Sequence, residues 1–570
     1  MFSPGFNLGR NPTAGRTFEY FGEDPYLAGT TAAAHVNGLQ STGVMATIKH
    51  YVANNQETNR TQNSSNIDPR TLREIYEKPF QIAIEGSEPA AVMCAYNKVN
   101  NDPACGNKST LTDDLRRRMG FTGTVVTDYP AAWATSDVRD GLNVELPGSF
   151  WTSQVMVNGA IGRGELTWDD VKTRVRETLT QMFRFGLFDK PWDATNGDRR
   201  RGVSQLPVDR GHAAALRAAE SGSVLLKNDG ILPLRSGDGA PARVLVVGEA
   251  AKKTTSGGGS SQVVAPLAPD STLDQIARRL PSAQVVWKSE WDPAGIALEA
   301  PKANLVIVVA ASGRTELFDV PTLDFPLQVN NAVWNASQRN PHTVVVTQVG
   351  GPVLMPWLDR VGAVLNVWYP GEAGGEATAR LLFGDENPSG RLPQTFPARA
   401  DQKPASTANQ FPGASLGFQA NYTEGVFMGY RWYDKAGQKP LFPFGYGLSH
   451  TTFSYSDLRL SSSSGAPGDA VRASVTLTNT GSRQGAVVPQ AYVGKPSTPD
   501  VQTPPRELGA FAKVTLRPGE SRRVELTIEP RQLAIFDVGR NDFVVRPGAY
   551  TIGVGDNVAA VGATATYTVG

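Results

Sequence analysis

Thr122-Gly-Thr-Val-Val-Thr-Asp-Tyr-Pro130 is the stretch on which the reading of this chain turns. Gly123 interrupts the chain, and Thr124, Val125, Val126 and Thr127 form a β-branched run with the character of a buried strand. Asp128 stands at the carboxyl end of that strand, and Tyr129 and Pro130 stop it. In barrels and open sheets of parallel strands, that end is where ligands bind and catalytic groups sit. An Asp is also a common turn and cap residue, so the neighbouring chain has to decide between the two readings.

Working outward, residues 1–188 alternate short apolar strands with helical segments, the pattern of an α/β domain. A strand over 43–48 leads into Lys49-His50, and one over 90–95 delivers Tyr96 and Asn97. The spacing of Leu72, Ile75, Tyr76 and Phe80 predicts a helix over 68–85, capped by Asp68, with Pro69 in its first turn. Pro79 should kink or divide it. Further helices are expected over 111–119 and over 169–185, the latter with Val171, Val175, Leu179 and Met182 on one face. A linker rich in Pro, Asp, Gly and Arg follows over 189–215. Residues 216–450 start a second alternation, with strands at 244–247, 305–309, 343–347 and 363–367 and helices at 273–280, 328–338 and 375–383. That predicts a doubly wound, mostly parallel sheet. Over 451–570 the period shortens to alternating segments at 471–478, 487–493, 522–528 and 550–554. Arg517-Pro-Gly-Glu and Arg546-Pro-Gly-Ala serve as turns, which indicates an all-β sandwich.

At 570 residues the chain has room for several domains, and 55 basic against 54 acidic residues leave a net charge of +1. That balance gives no support to a nucleic acid or anionic membrane partner, and no apolar run approaches the ~20 residues needed to span a bilayer. The 58 glycines and 40 prolines without a short repeat suit a loop-rich globular protein. Cys94 and Cys105 are compatible with one small disulfide loop or with two free thiols. The five histidines show no His-x-x-x-His pattern and there is no Cys-x-x-Cys, so no metal site and no cofactor is expected. Met1-Phe-Ser-Pro-Gly-Phe-Asn-Leu lacks the charged region and apolar run of a signal peptide and reads like the interior of a domain.

Three polar clusters mark the first domain: Gly15-Arg-Thr-Phe-Glu, Lys49-His50 through Arg60, and Ala95-Tyr-Asn-Lys. Guanidinium, ammonium, amide and imidazole groups of this kind can hold vicinal hydroxyls, each fixing a direction. In the second domain, Glu316 follows the 305–309 strand and is a second carboxylate at the carboxyl edge of a parallel sheet. Two carboxylates facing one cleft are the minimum equipment for glycoside hydrolysis. Thr254-Thr-Ser-Gly-Gly-Gly-Ser-Ser lacks the Gly-Lys-Ser/Thr ending of a phosphate loop and is not read as a nucleotide site.

These residues together resemble the β-glucosidase-like members of glycoside hydrolase family 3. The resemblance runs from Pro4-Gly-Phe-Asn-Leu-Gly-Arg-Asn-Pro and Gly15-Arg-Thr-Phe-Glu through Lys49-His50 and Asn54-Asn-Gln-Glu-Thr-Asn-Arg60 to Val125-Val-Thr-Asp-Tyr. It continues in Gly257-Gly-Gly-Ser, Gly371-Glu-Ala-Gly-Gly-Glu, Asn387-Pro-Ser-Gly-Arg-Leu-Pro, Phe442-Pro-Phe-Gly-Tyr-Gly-Leu-Ser and Pro505-Arg-Glu-Leu-Gly-Ala-Phe. It implies a multidomain α/β protein: a TIM-like barrel, an α/β sandwich and a C-terminal fibronectin-III-like domain. It implies a retaining mechanism with Asp128 as nucleophile and Glu316 as acid and then base, Glu372 and Glu376 being the next carboxylates to consider. Arg16, Lys49, His50, Arg60 and Tyr96 match positions that grip the non-reducing sugar, and Tyr96 is placed to hydrogen-bond the nucleophile. The implied substrate is a β-linked oligosaccharide or glycoside, and the implied compartment is extracellular or periplasmic.

Two features depart from the family. Its barrels typically need ~250 residues, and its first strands, including an Asp that holds sugar hydroxyls, precede what is residue 1 here. The expectation is therefore a truncated barrel, poorly folded and inactive on its own. Thr315-Glu-Leu-Phe-Asp-Val also stands where many relatives have Glu-Gly-x-Asp-Arg. The first reading is an exo-acting β-glucosidase; the alternatives are β-xylosidase or a related specificity, and an inactive sugar-binding or structural remnant.

Overall fold

A computed structural model describes residues 1–189, 208–263, 271–413 and 417–570. In the first domain three strands, β1 (Thr47–Tyr51), β2 (Ala91–Cys94) and β3 (Thr124–Thr127), pair in parallel in that order. Ile48 stands beside Val92, and Val92 beside Val125. Single parallel bridges extend the arc at both sides, Gly5 to Lys49 and Val144 to Val126. The described residues thus form an open arc of the implied barrel. Every residue of β2 and β3 is buried, so these strands carry apolar or β-branched residues throughout rather than alternating with polar ones.

Around the arc, Asp24 caps the helix Pro25–Gln40 by accepting the Leu27 N–H at 2.9 Å. Asp68 accepts from the N–H groups of Arg70 and Thr71, and the helix it opens changes form twice: α over Pro69–Thr71, π over Leu72–Glu77, α again over Lys78–Ser87. The division falls at Pro79, where the missing N–H cannot continue the ladder. The predicted helix over 111–119 is a π-helix at Ser109–Arg118. The predicted helix over 169–185 forms at Trp168–Arg184, yet Val175 and Leu179 of its apolar face remain exposed, with Trp168 and Phe183 beside them. Cys94 and Cys105 are joined in a disulfide. No helix among the described residues is long and apolar enough to cross a membrane.

Most of the 189–215 linker lies outside the described residues; from Val208 the chain is a helix to Gly222. The second domain holds a six-stranded sheet in the order Val224–Asn228, Ala363–Asn366, Thr343–Val349, Leu305–Ser312, Arg243–Val247, Gln284–Lys288. All pairs are parallel except the first, at one edge. Val306, Val308 and Ala310 enter one apolar cluster and Leu305, Ile307 and Val309 the other, so both faces are covered. In the third domain, Phe453–Leu460, Val471–Asn479 and Ser521–Ile528 form one sheet. It closes over a five-stranded partner that includes Gln490–Gly494 and Gly548–Gly555. Inward Val471, Ala473, Val475 and Leu477 alternate with more exposed neighbours.

The three domains meet around buried charge. Arg431 of the second domain donates to Asp24 of the first at 2.7 Å and to Glu507 of the third at 3.2 Å, and Lys495 reaches Glu507 at 2.6 Å. Burial opposes ionisation of Glu507, but the charges of Lys495 and Arg431 outweigh it and hold the carboxyl far below its usual range. Glu23 accepts from Thr395 N at 3.0 Å, Thr395 Oγ1 at 2.6 Å and Tyr430 N at 2.9 Å. Gln419–Asn421 also pairs in parallel with Ser64–Asn66, so a second-domain strand extends a small sheet of the first. Removing one partner of such a cluster leaves buried charge uncompensated. Arg431→Ala is expected to destabilise the fold by about 3–5 kcal/mol, seen as a lowered urea midpoint; an unchanged midpoint would show that the seam contributes nothing.

Candidate active site

The register of the arc brings the predicted residues to one end. Lys49 and His50 close β1, Tyr96 lies two residues past β2, and Asp128 follows β3 directly. The Cys94–Cys105 bond closes the loop that carries Tyr96. Arg16 comes from the short 3-10 helix Gly15–Glu19, and Arg60 from the loop beyond β1.

Asp128 is 7% exposed. Its Oδ1 accepts the Tyr129 N–H at 2.9 Å, whereas the buried Oδ2 accepts no hydrogen bond. One oxygen is therefore held by the local backbone and the other keeps its lone pairs free. Burial pushes the carboxyl above its ordinary value, and the Tyr129 N–H with the charges of Arg16 and Lys49 pulls it back towards ionisation.

His50 Nε2 lies 3.4 Å from Asp128 Oδ2. Asn7 donates its amide to His50 O at 2.8 Å and accepts the His50 N–H at 2.9 Å, which fixes its Oδ1 3.3 Å from the ring Nδ1. That orientation assigns the ring proton to Nδ1. Burial, with Arg16, Lys49 and Arg60 nearby, drives the imidazole well below its usual pKa. A neutral ring with Nε2 as acceptor suits a sugar hydroxyl. Burial and the Arg16 charge likewise lower Lys49.

The Tyr96 hydroxyl donates to Tyr129 O at 2.7 Å and also bears on the Asp128 carboxylate, helping to draw it towards ionisation. The Arg60 guanidinium lies over the Tyr96 ring, 4.4 Å from its centroid, a cation–π contact that holds the two side chains together.

Glu316 arrives from the second domain at the tip of a tight turn, in which Thr315 and Phe318 form an antiparallel bridge. Leu317, exposed, takes φ 81°, a region that β-carbon-bearing residues seldom enter and that the family's Gly would enter freely. Glu316 Oε2 accepts from Ser260 N at 2.7 Å and Ser260 Oγ at 2.6 Å, and Oε1 from Arg60 at 2.9 Å, with Arg16 at 3.8 Å. Burial opposes ionisation here too, but Ser260, Arg16 and Arg60 prevail and bring the carboxyl down to about 2. The glycine run before Ser260 is a matter of space. A Cβ at Gly259, where φ is 91°, would meet Glu316 Cβ at 2.4 Å, and one at Gly257 would meet the Phe18 ring at 2.2 Å.

Several participants have no signature in a single sequence. Arg60 divides one nitrogen between Glu316 and Glu57, the latter at 2.8 Å. Glu57 also accepts the Leu317 N–H at 2.7 Å, and its burial, only partly countered by Arg16 and Arg60, pushes it up to about 7. Glu19 holds Arg16 through two bonds of 2.6 and 2.8 Å, a forked pairing that aims the guanidinium. Asn7, Glu19, Glu57 and Ser260 all sit within the stretches that carry the family resemblance, which is the signal that points to them. Glu372 and Glu376, by contrast, face His212, at 3.1 and 3.7 Å.

The arrangement puts a buried carboxylate with one free oxygen at the end of a parallel strand. A second carboxylate from another domain contacts Arg16 and Arg60, and Arg16 also bears electrostatically on Asp128. Comparison with known proteins agrees in extent as well as in detail. Residues 1–144 match the glycosyl hydrolase family 3 N-terminal domain, 223–450 the family 3 C-terminal domain and 487–558 the fibronectin type III-like domain. A thermostable beta-glucosidase B of Acetivibrio thermocellus is 35% identical over 97% of this chain and 73% of its own. An exo-alpha-(1->6)-L-arabinopyranosidase of Bifidobacterium longum matches at 35% over the same shares. The crystal structure of DesR, a beta-glucosidase from Streptomyces venezuelae in complex with D-glucose, superimposes with a TM-score of 0.91 at 30% identity, over 100% of this chain and 87% of that one. Domain order and overall fold are thus those of one lineage, and the chain belongs to glycosyl hydrolase family 3.

Proposed function

We propose that this protein is a retaining, exo-acting β-glycosidase that removes terminal β-D-glucosyl residues, with Asp128 as nucleophile and Glu316 as acid and base. The observation that carries the reading is the pairing across domains: Glu316 reaches Arg60 and Arg16 of the first domain, and Arg16 also bears electrostatically on Asp128. Asp128 Oδ2 attacks the anomeric carbon while the protonated Glu316 gives its proton to the leaving oxygen, the bond to that oxygen breaks, and a glycosyl ester forms, leaving Glu316 ionised. Water then attacks that carbon while Glu316 takes its proton, the ester bond breaks, and the sugar leaves with its configuration retained.

In the free site Glu316 is set as a base. Its acid role requires a proton in the complex with substrate, where sugar hydroxyls on Arg16 and Arg60 draw donors away from it and exclude water. Both changes raise a carboxyl pKa. Lys49, His50 and Tyr96 complete the sugar-binding wall.

The direct test is hydrolysis of an aryl β-D-glucoside followed by proton NMR: β-glucose should appear first and mutarotate later. Initial α-glucose, or no turnover, contradicts the proposal. A second specificity is supported by the arabinopyranosidase relatives, which match as well as the glucosidase. A pentopyranosyl substrate lacks the hydroxymethyl arm of glucose, so aryl α-L-arabinopyranoside and β-D-xyloside tested in parallel separate the readings.

For Glu316→Ala, aryl glucosides with good leaving groups should keep glycosylation while cellobiose loses about 100-fold or more. Azide should restore turnover by attacking the glycosyl-enzyme without base assistance. Equal losses on all substrates and no azide effect would move the acid–base role elsewhere, with Glu57 the next carboxylate to test in place of Glu372 or Glu376.

A further inference from the structure

Glu316 belongs to the second domain, yet its carboxylate must be placed to within a fraction of an ångström on chemistry that takes place in the first. The contacts of its turn show how this is done. Three residues beyond Glu316, Asp319 crosses to the first domain. Its Oδ1 accepts from Gly15 N at 3.0 Å and Glu57 N at 3.0 Å, and its Oδ2 from Thr58 N at 2.9 Å and Thr58 Oγ1 at 2.7 Å. Three backbone N–H groups and a hydroxyl of the barrel domain thus converge on one side chain of the other domain. The next residue continues the seam, Val320 N donating to Thr13 O at 2.9 Å. The approach is close: a Cβ at Gly15 would meet Phe318 O at 2.1 Å and Thr315 O at 2.7 Å.

We propose that Asp319 is the positioning residue of the acid–base, a latch that fastens the turn carrying Glu316 to the N–H groups of Gly15, Glu57 and Thr58. The proposal rests on the glycosidase reading above. Its physical basis is that a carboxylate accepting several N–H bonds makes charge-assisted contacts about twice as strong as neutral ones. Its loss also orphans donors that have no alternative partner in the seam. The latch is distinct from the groups that touch Glu316 itself. Ser260, Arg16 and Arg60 set the protonation of that carboxylate, whereas Asp319 sets where it is. The donors also lie in the same segments as Arg16 and Arg60, so one side chain registers the acid–base against the sugar-gripping arginines.

The test compares Asp319→Ala, Asp319→Asn and Thr58→Val in the full chain, with dinitrophenyl β-D-glucoside and cellobiose as substrates and amide hydrogen exchange by mass spectrometry as a second readout. Displacing the acid–base should cost cellobiose about 100-fold or more in kcat/KM, the range of general acid–base catalysis. The dinitrophenyl substrate, which needs no protonation, should lose less than about tenfold. Azide should accelerate the variant on the dinitrophenyl substrate, and the amides of Glu57 and Thr58 should exchange faster. Asp319→Asn, with one acceptor oxygen left, should fall between wild type and Ala, and Thr58→Val should show a smaller change of the same kind. A merely structural role would lower both substrates together. With the wild type active, equal loss on both substrates, or unchanged exchange in Asp319→Ala, overturns the latch alone. A wild type that cleaves neither substrate overturns the glycosidase reading and the catalytic role of the latch with it.

Discussion

A carboxylate of one domain can serve chemistry on another only if the seam between them is rigid, and here charge and backbone N–H groups add direction to apolar packing in which Tyr422, Val426, Phe427 and Met428 of the second domain enter the core of the first. The Arg60–Glu316 pair is its functional end and the Arg431 cluster its structural end. Between them, Arg314, fully buried, donates to Pro12 O, Ala14 O, Thr17 Oγ1 and Pro352 O. A guanidinium used in this way joins segments far apart in sequence with directional bonds. Such networks are costly when one member is lost, because the partners left behind are buried without their hydrogen bonds.

The same seam accounts for the electrostatics of the site. Asp128 and Glu316 are both carboxylates near Arg16, yet their protonation is pushed in opposite directions. Asp128 is raised because burial prevails over the Tyr129 N–H and the charges of Arg16 and Lys49, whereas Glu316 is lowered because Ser260 and two arginines outweigh its burial. A retaining pair needs the opposite order, an ionised nucleophile and a protonated acid, so the proposed acid role of Glu316 falls to the substrate complex. In the proposed mechanism substrate binding is coupled to proton placement, because the arginines proposed to hold sugar hydroxyls are the ones that keep Glu316 ionised.

Much of this was legible in the amino-acid sequence, for physical reasons that also mark the limits. The end of β3 could be read because a β-branched run stops abruptly at Asp128 before Tyr129 and Pro130, and Tyr96 because it follows an apolar strand; Lys49 and His50, expected just past a strand over 43–48, lie instead within the strand Thr47–Tyr51. The two strands missed in the second domain are both at sheet edges. Gln284–Lys288 is only partly buried and lacks a clear period, and Val224–Asn228 follows directly on a helix that begins inside the predicted linker. Ser260 was passed over because a Gly-Gly-Gly-Ser run carries no period, and only the fold brings it against Glu316. The hydroxyl of Tyr96, expected near Asp128, bears on that carboxylate and also donates to the Tyr129 carbonyl, a contact with no sequence signal. The apolar stripe of Trp168–Arg184 was read correctly as a stripe, but what a stripe packs against is a property of the fold, and Val175 and Leu179 stay exposed among the described residues.

The account stands or falls on Asp128 as the atom-donating nucleophile, and trapping tests that most directly. A 2-fluoro-β-D-glucoside with a good leaving group forms its glycosyl ester faster than the ester hydrolyses, so the intermediate accumulates. Peptide mapping by mass spectrometry should then find the fluoro sugar on the peptide containing Val125-Val-Thr-Asp-Tyr, at Asp128. Turnover of aryl glucosides with the label on another carboxylate, such as Glu57, would contradict it.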